Sequence, residues 1–308
     1  MRNHLINELI SLAQADPRIV FLTGDLGYNV VEEFGVKCPG RFFNAGIAEQ
    51  NMTAVAAGLA LEGNIACTYS TGSFPTIRCL EQIRNCVCYH KANVKIIAVG
   101  GGFVYGQLGM SHHATEDIAA MRAMPNMTIF SPADPGEAVL AINEAVRING
   151  PCYIRLGRGG EKPLHTATVG LDITKIMPIR QGSDVAILST GSVLAESLEA
   201  AHALSLHGIS IGLANCVTLK PLDENGINAL ADRYKTLITL EEHNITGGLG
   251  SAVADILVNR APSAPRPRLI KLGLNDEFTS VVGSNAYLRD HYGLSARKIA
   301  SLISNMPK

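Results

Sequence analysis

Tryptophan is absent from the 308-residue chain, and charged residues make up only 17% of it. The formal net charge is −1, so no long-range field draws the chain to nucleic acid or to an acidic membrane surface. The sequence contains no run of 18 apolar residues and no basic, apolar leader, which predicts neither membrane spanning nor export. We therefore expect a cytoplasmic protein that binds neither nucleic acid nor membrane.

Paired cysteine motifs are also missing. The seven cysteines form an odd set without a C-x-x-C pair, and most lie in apolar sequence, which predicts reduced, buried thiols. Hydrophobic residues, by contrast, make up 47% of the chain, and its length suffices for two domains. Alternating strand and helix patterns predict an α/β fold with two domains, each a mainly parallel sheet flanked by helices. We place the first domain at residues 1–165, a linker at 166–182 and the second domain at 183–308.

The most informative stretch is FFNAGIAEQNMTAVAAGLALEG, residues 42–63. Its first two residues predict the end of a strand, and Gly63 stands where a helix would stop. The helix between them has apolar positions at i, i+3, i+4 and i+7, which are Met52, Val55, Ala56 and Leu59. Glu49 lies in the first turn on the apolar side, so its carboxylate stays charged only if a partner pairs with it. It could equally be a first-turn acid favoured by the helix dipole.

Other candidate residues follow predicted strands, where open α/β sheets bind ligands. They are Asp25, Phe74, the glycines at 100–102 and Arg158. Each also has a structural interpretation, as a turn cap, a core ring, a flexible loop or a surface charge. His113 and Glu116 have the spacing of helical metal ligands, but two ligands without a third do not define a site. We assign no metal ligand.

The stretch at residues 42–63 resembles the start of the pyrimidine-binding domain of transketolases and their relatives. In that family, the glutamate of this motif hydrogen-bonds the aminopyrimidine of thiamine diphosphate and favours the imino tautomer that deprotonates the thiazolium carbon. The resemblance implies that Glu49 is the cofactor-activating acid. YGQLGMSHHATED, residues 105–117, is similar to the family segment G-E-D-G-x-T-H-Q-x-x-E-D. It implies that His112 is the active-site histidine that contacts the donor sugar.

The same resemblance extends to further residues. It implies that Phe74 and Ile77 pack on the pyrimidine and that Asp25 lies beside the cofactor. Arg158 and Arg2 match arginines that bind the substrate phosphate. The turn at residues 241–250 is similar to E-E-H-x-x-x-G-G-x-G of the family's C-terminal domain, and we interpret its histidine, His243, as structural or interfacial.

The chain also departs from the long transketolases. Leu108 replaces an aspartate and Gly100 a histidine, which puts the specific sugar in doubt. No G-D-G…N motif for binding the diphosphate precedes residue 42. The resemblance therefore implies a split enzyme, in which a separate N-terminal subunit holds the diphosphate through Mg²⁺ or Ca²⁺.

We therefore predict one subunit of a split, thiamine diphosphate-dependent transketolase that transfers a two-carbon ketol unit from a ketose, as a sugar phosphate, to an aldose. This chain would self-associate as a dimer within an α2β2 heterotetramer. Three alternatives remain open. They are the β subunit of a 2-oxo acid dehydrogenase, an enzyme like deoxyxylulose-phosphate synthase, and a non-catalytic scaffold subunit.

Overall fold

Twelve strands form two separate sheets in the computed structural model, which describes residues 1–165 and 170–306. The first six strands in chain order are β1 (Ile19–Thr23), β2 (Phe42–Asn44), β3 (Ile65–Thr71), β4 (Val94–Val99), β5 (Thr128–Phe130) and β6 (Cys152–Leu156). The others are β7 (Met177–Arg180), β8 (Val185–Ser189), β9 (Ile211–Asn215), β10 (Thr218–Lys220), β11 (Thr236–Asn244) and β12 (Arg268–Leu274).

Each sheet is parallel except for one edge strand. The first runs in the order β10-β5-β6-β4-β3-β1-β2, and only β10 is antiparallel to its neighbour. The second runs β12-β11-β8-β9-β7, and only β7 is antiparallel. The predicted α/β class with two mainly parallel sheets is therefore confirmed.

Helices cover the sheets. In chain order they are α1 (Arg2–Ala15), α2 (Glu32–Lys37), α3 (Glu49–Leu61), α4 (Leu80–Gln82), α5 (Asp117–Ala123), α6 (Pro135–Arg147), α7 (Leu194–Ser205), α8 (Glu224–Arg233), α9 (Leu249–Val258), α10 (Asn285–His291) and α11 (Ala296–Ser304). A 3₁₀ turn, Ile77–Cys79, precedes α4, and a π-helical segment, Ile83–Cys88, follows it. Over the described part of the chain, no helix is both long and apolar enough to cross a membrane.

Two segments cross the predicted division into domains. Residues 177–180 of the predicted linker form β7, a strand of the second sheet, while residues 166–169 lie outside the described residues. β10 comes from the predicted second domain but pairs with β5 of the first sheet. One apolar cluster also contains buried residues of both halves, including Leu22, Ile96, Leu188 and Leu237. The boundaries at residues 165 and 182 therefore remain a prediction.

The helix predicted after Glu49 is α3, and Gly63 follows its end with a φ of +92°. One detail of the prediction is wrong. Val55 is 44% exposed, and the fully buried side chains include Thr53 and Ala57 beside Met52 and Ala56. The buried face of the helix is therefore rotated relative to the predicted one, away from Val55 and towards Thr53 and Ala57.

Candidate active site

The predicted site residues lie at one edge of the first sheet. β6, β4, β3, β1 and β2 are consecutive, parallel neighbours, so their carboxyl ends meet at the same edge. The segments after these strands carry Arg158, His112, Phe74, Asp25 and Glu49 respectively. The strand order also reverses at β1, whose neighbours are β2 and β3. Open α/β sheets bind ligands at such a switch point.

Glu49 begins α3 and is 2% exposed. Its Oε2 accepts a hydrogen bond from Nη1 of Arg78 at 2.7 Å, and Ser70 Oγ lies 3.3 Å from Oε1. A Cβ atom at Gly24 would lie 3.3 Å from the Glu49 Cγ. The end of β1 is therefore shaped around this side chain, and the partner that a buried carboxylate requires is Arg78.

Arg78 is a site residue that the sequence reasoning missed. Its guanidinium carbon lies 4.2 Å from the ring centroid of Phe74, within the range of a cation–π contact. The Gln50 side-chain amide donates to the Arg78 carbonyl oxygen at 3.1 Å, which ties the 3₁₀ turn to α3. In the sequence, only the position of Arg78 could have indicated this role: it stands four residues after Phe74, in a turn that opens a helix.

Phe74 and His112 lie together at the mouth of the site. Their ring centroids are 5.2 Å apart in an edge-to-face arrangement, and both residues are half-buried. The Nδ1 atom of His112 lies 3.0 Å from the Ser111 hydroxyl. The Ser73 hydroxyl donates to the Ser111 carbonyl oxygen at 3.0 Å. The loops after β3 and β4 are therefore joined directly, which brings Phe74, His112 and, through Arg78, Glu49 into one group.

The second sheet's half of the chain supports the loop of His112. His113 is buried, and its Nδ1 lies 2.6 Å from the Thr279 hydroxyl. The Gly283 N–H donates to the Gly106 carbonyl oxygen at 3.2 Å, and the Phe103 ring stacks on Tyr292 at 5.4 Å. Burial lowers the pKa of His113. This histidine is therefore a neutral link between the two halves, with no arrangement of ligands around it among the described residues.

Asp25 is held in an unusual backbone conformation, with a φ of +56°. Asn44 accepts from the Asp25 N–H at 3.1 Å and donates its amide to the Asp25 Oδ1 at 2.9 Å. The Tyr28 hydroxyl donates to the same oxygen at 3.3 Å. Asp25 thus fixes the loop after β1 to the end of β2, where the chain leads into α3.

Arg158 and Arg2 contact residues outside the group of Glu49, Phe74 and His112. Arg158 is exposed, and its guanidinium carbon lies 5.7 Å from the ring centroid of Tyr105. Burial raises the pKa of the Tyr69 phenol, and the charge of nearby Arg2 opposes that shift. Tyr105 also acts electrostatically on Tyr69. The two arginines therefore lie near the same pair of tyrosines, Arg2 near Tyr69 and Arg158 near Tyr105.

The replacement of a family histidine by Gly100 has a structural reason. Gly100 has a φ of +99°, and a Cβ atom there would lie 2.3 Å from Cε2 of Tyr105. The ring of Tyr105 therefore fills the space that a side chain at position 100 would need. Leu108, the other departure, is 56% exposed.

Each residue of the Glu-Glu-His segment makes its own hydrogen bonds at the end of β11. Glu241 accepts from the N–H groups of Leu249 and Gly250 at the start of α9, at 2.7 and 2.9 Å. Glu242 accepts from the Phe103 N–H at 2.6 Å and from Arg289. His243 is fully buried, and its Nε2 accepts from the Ala119 N–H at 3.3 Å. His243 thus joins the two halves.

Potential metal ligands cluster once among the residues that the structure describes, at Asp134, Glu137 and His165. Protein groups already bind these carboxylates. Asp134 caps α6 by accepting from the Glu137 N–H at 2.8 Å, and Glu137 accepts from His165 and Asn215, both at 2.7 Å. This cluster therefore fits a structural clamp better than the metal of a cofactor.

Residues 1–160 match the family described as transketolase, pyrimidine binding domain, and residues 174–299 match transketolase, C-terminal domain. The chain belongs to the transketolase family.

Two relatives share almost the whole length of this transketolase-family chain. A solved structure described as "Split gene transketolase, inactive beta4 tetramer" is 38% identical, with a TM-score of 0.89, over 98% of this chain and 96% of that one. The 6-deoxy-6-sulfo-D-fructose transketolase subunit SqwH of Clostridium sp. strain MSTE9 is 35% identical over 97% of this chain and 92% of its own length.

A third relative is longer. The 1-deoxy-D-xylulose-5-phosphate synthase of Desulforudis audaxviator is 35% identical, and the match covers 94% of this chain but only 46% of that enzyme. The chain therefore corresponds to nearly the whole length of subunits of split transketolases and to about half of a synthase. It is a transketolase-family subunit.

Proposed function

We propose that this chain supplies the pyrimidine-binding half of a split, thiamine diphosphate-dependent transketolase, which transfers a two-carbon ketol unit from a ketose to an aldose. The observation that carries the proposal is the carboxylate of Glu49, 2% exposed at the start of α3. A buried acid costs free energy, and this one lies at the switch point where α/β sheets bind ligands. Both facts fit an acid that serves a bound cofactor.

The residues around Glu49 fit the aminopyrimidine. The half-buried ring of Phe74 offers a face on which a flat heteroaromatic ring can stack. Ile77, which is 43% exposed, would provide an apolar contact next to it. Asp25 would contact the cofactor from the loop after β1. Gly24 leaves the Glu49 side chain room to reach a ring nitrogen.

The chain's own residues would orient the reactants and move protons. Thiamine diphosphate, when bound, supplies the electron sink that carries the two-carbon unit. Glu49 would hydrogen-bond a nitrogen of the pyrimidine ring and so select its reactive tautomer. His112 would contact the donor sugar and hold or relay a proton at a sugar oxygen. The Ser111 hydroxyl, 3.0 Å from Nδ1, would fix the orientation of the imidazole.

Arg158 and Arg2 support a substrate with a terminal anionic group. A guanidinium binds phosphate through two parallel hydrogen bonds, and the exposed Arg158 is available for such a contact. We propose a sugar phosphate as the substrate. The 6-deoxy-6-sulfo-D-fructose named for one relative carries an anion of similar geometry, so a sulfonate is the closest variation.

A second chain would complete the enzyme. The cluster at Asp134 has no free carboxylate oxygen to offer the metal of a diphosphate, so we propose that an N-terminal subunit holds the diphosphate with Mg²⁺ or Ca²⁺. The solved relative is a tetramer of β chains and is described as inactive. This supports an α2β2 heterotetramer in which this chain forms a dimer and is catalytically active only with the N-terminal subunit. All seven cysteines are free thiols, consistent with a cytoplasmic assembly.

The substitution E49Q tests the proposal. In the complex with the partner subunit it should lower ketol transfer at least ~100-fold, the usual contribution of a positioned acid or base, while leaving assembly unchanged. E62Q is the matched control, because Glu62 is an exposed acid at the other end of α3. Unchanged turnover in E49Q would refute the catalytic role and favour a scaffold subunit.

A further inference from the structure

In the proposed function, the aminopyrimidine hydrogen-bonds Glu49 and stacks on Phe74. In the structure, Arg78 makes both of these contacts. Its Nη1 lies 2.7 Å from the Glu49 Oε2, and its Cζ lies 4.2 Å from the Phe74 ring centroid. A guanidinium is planar, donates N–H groups within its plane and stacks on aromatic faces. It thus matches the aminopyrimidine in shape and in its hydrogen bond to a carboxylate.

Access to Glu49 passes Arg78. The Glu49 side chain is 2% exposed, whereas the Arg78 side chain is 43% exposed. The other carboxylate oxygen lies 3.3 Å from the Ser70 hydroxyl, inside the site. A ring that enters from the open edge of the sheet therefore meets the guanidinium before it reaches the acid.

The two partners also compete chemically. To select a pyrimidine tautomer, Glu49 must share a proton with a ring nitrogen. The Arg78 Nη1 already donates to the Glu49 Oε2 at 2.7 Å, so the guanidinium and the ring nitrogen would bond to the same carboxylate. One carboxylate therefore cannot serve both partners fully.

We infer that Arg78 occupies the aminopyrimidine subsite in the free chain, and that the cofactor displaces it from both Glu49 and Phe74. The inference rests on the proposed function of these two residues. The exchange keeps a buried carboxylate paired before the cofactor arrives, since an unpaired buried charge is strongly destabilising. It also lowers the apparent affinity for the cofactor, because only the fraction of molecules with the subsite open can bind.

The test compares thiamine diphosphate binding, with Mg²⁺, by the wild-type and R78A chains in complex with the partner subunit, using calorimetry. If Arg78 fills the subsite in roughly nine molecules of ten, R78A should bind about tenfold more tightly. R78Q provides a second variant that keeps most of the side-chain volume if R78A folds poorly, and it should also bind more tightly. R84A is the matched control, because Arg84 is exposed and bonds to Asn85; its affinity should equal that of the wild type.

Weaker or unchanged binding by R78A would overturn the inference and leave the proposed function standing. No binding by any of these complexes would overturn both.

Discussion

The imidazole of His113 lies 2.6 Å from the hydroxyl of Thr279, across the boundary between the two sheets. His113 adjoins His112 in the loop after β4, whereas Thr279 lies in the segment between β12 and α10. The half of the chain that carries the second sheet therefore positions the loop that carries a proposed catalytic histidine.

Removing the Thr279 hydroxyl should loosen this loop. T279V leaves a buried ring nitrogen of His113 without its partner, which costs about 1–3 kcal/mol. We expect a lower free energy of unfolding in urea and, in the assembled enzyme, a rise in KM for the donor sugar. T279S keeps the hydroxyl and should behave as the wild type. An unchanged KM in T279V would show that the contact does not position His112.

The same histidine should make stability depend on pH. Burial lowers the pKa of His113 below its ordinary value of 6.5, against the opposing charges of Glu116 and Glu242 and with a further lowering from His112. Above about pH 6.5 the ring is neutral in both the folded and the unfolded chain, so this stability is fully present there. It is lost as the pH falls towards the lowered pKa, because the unfolded chain then binds the proton more readily. Between pH 8 and 5, the free energy of unfolding in urea should fall more steeply for the wild type than for H113Q. Equal slopes of this free energy against pH would contradict the prediction.

Glu242 should stabilise the second half of the chain and, through the Phe103 N–H, tie it to the loop after β4. Its carboxylate accepts two N–H groups of Arg289, at 2.9 and 2.6 Å, together with the Phe103 N–H and the Asn285 amide. E242A would leave a buried guanidinium without its main partner, a loss of about 3–5 kcal/mol. Scanning calorimetry should show a lower unfolding temperature, with a second transition if the halves separate. E199A, which removes an exposed glutamate from α7, should change neither the unfolding temperature nor the number of transitions. If the unfolding temperature falls no further in E242A than in E199A, this role of Glu242 is wrong.

Gly100 should tolerate no side chain. G100A places a Cβ atom 2.3 Å from the Tyr105 ring and forces alanine to a φ of +99°. Gly208 separates the clash with a neighbouring side chain from the strain of a positive φ. It also has a positive φ, +73°, but has open space around its Cβ position. G208A should therefore cost about 1–2 kcal/mol from the backbone alone, and G100A clearly more. Equal shifts in the two unfolding temperatures would mean that Tyr105 yields easily.

The sequence predicts α3 and the burial of Glu49 because both depend on local features, a helical period and a first-turn acid inside a long motif. It misplaces Val55 because a period of apolar residues gives the face of a helix only approximately, and the small residues Thr53 and Ala57 are buried instead. It also misses Arg78, whose contact with Glu49 depends on a 3₁₀ turn that no period describes.

Pairing between strands that are far apart in the chain is the other feature that the sequence does not predict. β10 has three residues and an antiparallel partner 88 to 91 positions away, in the other half of the chain, and no local pattern specifies such a contact. The contacts of Glu242 and His243 are also out of reach of sequence reasoning, because they depend on how the second sheet packs against the loops after β4. The motif that contains both residues is nevertheless visible in the sequence, and the contact of His243 with the Ala119 N–H fits the structural role predicted for it.

We propose that this chain holds only the pyrimidine half of the cofactor site. The most direct measurement is calorimetric titration of thiamine diphosphate, with Mg²⁺, into this chain alone and into its mixture with the candidate diphosphate-binding subunit. We predict tight binding in the mixture and none to the chain alone, because Glu49 and Phe74 can hold the ring but the described part of the chain offers the diphosphate no metal site. Equally tight binding by the chain alone would show that this chain also holds the diphosphate, and would contradict a split cofactor site.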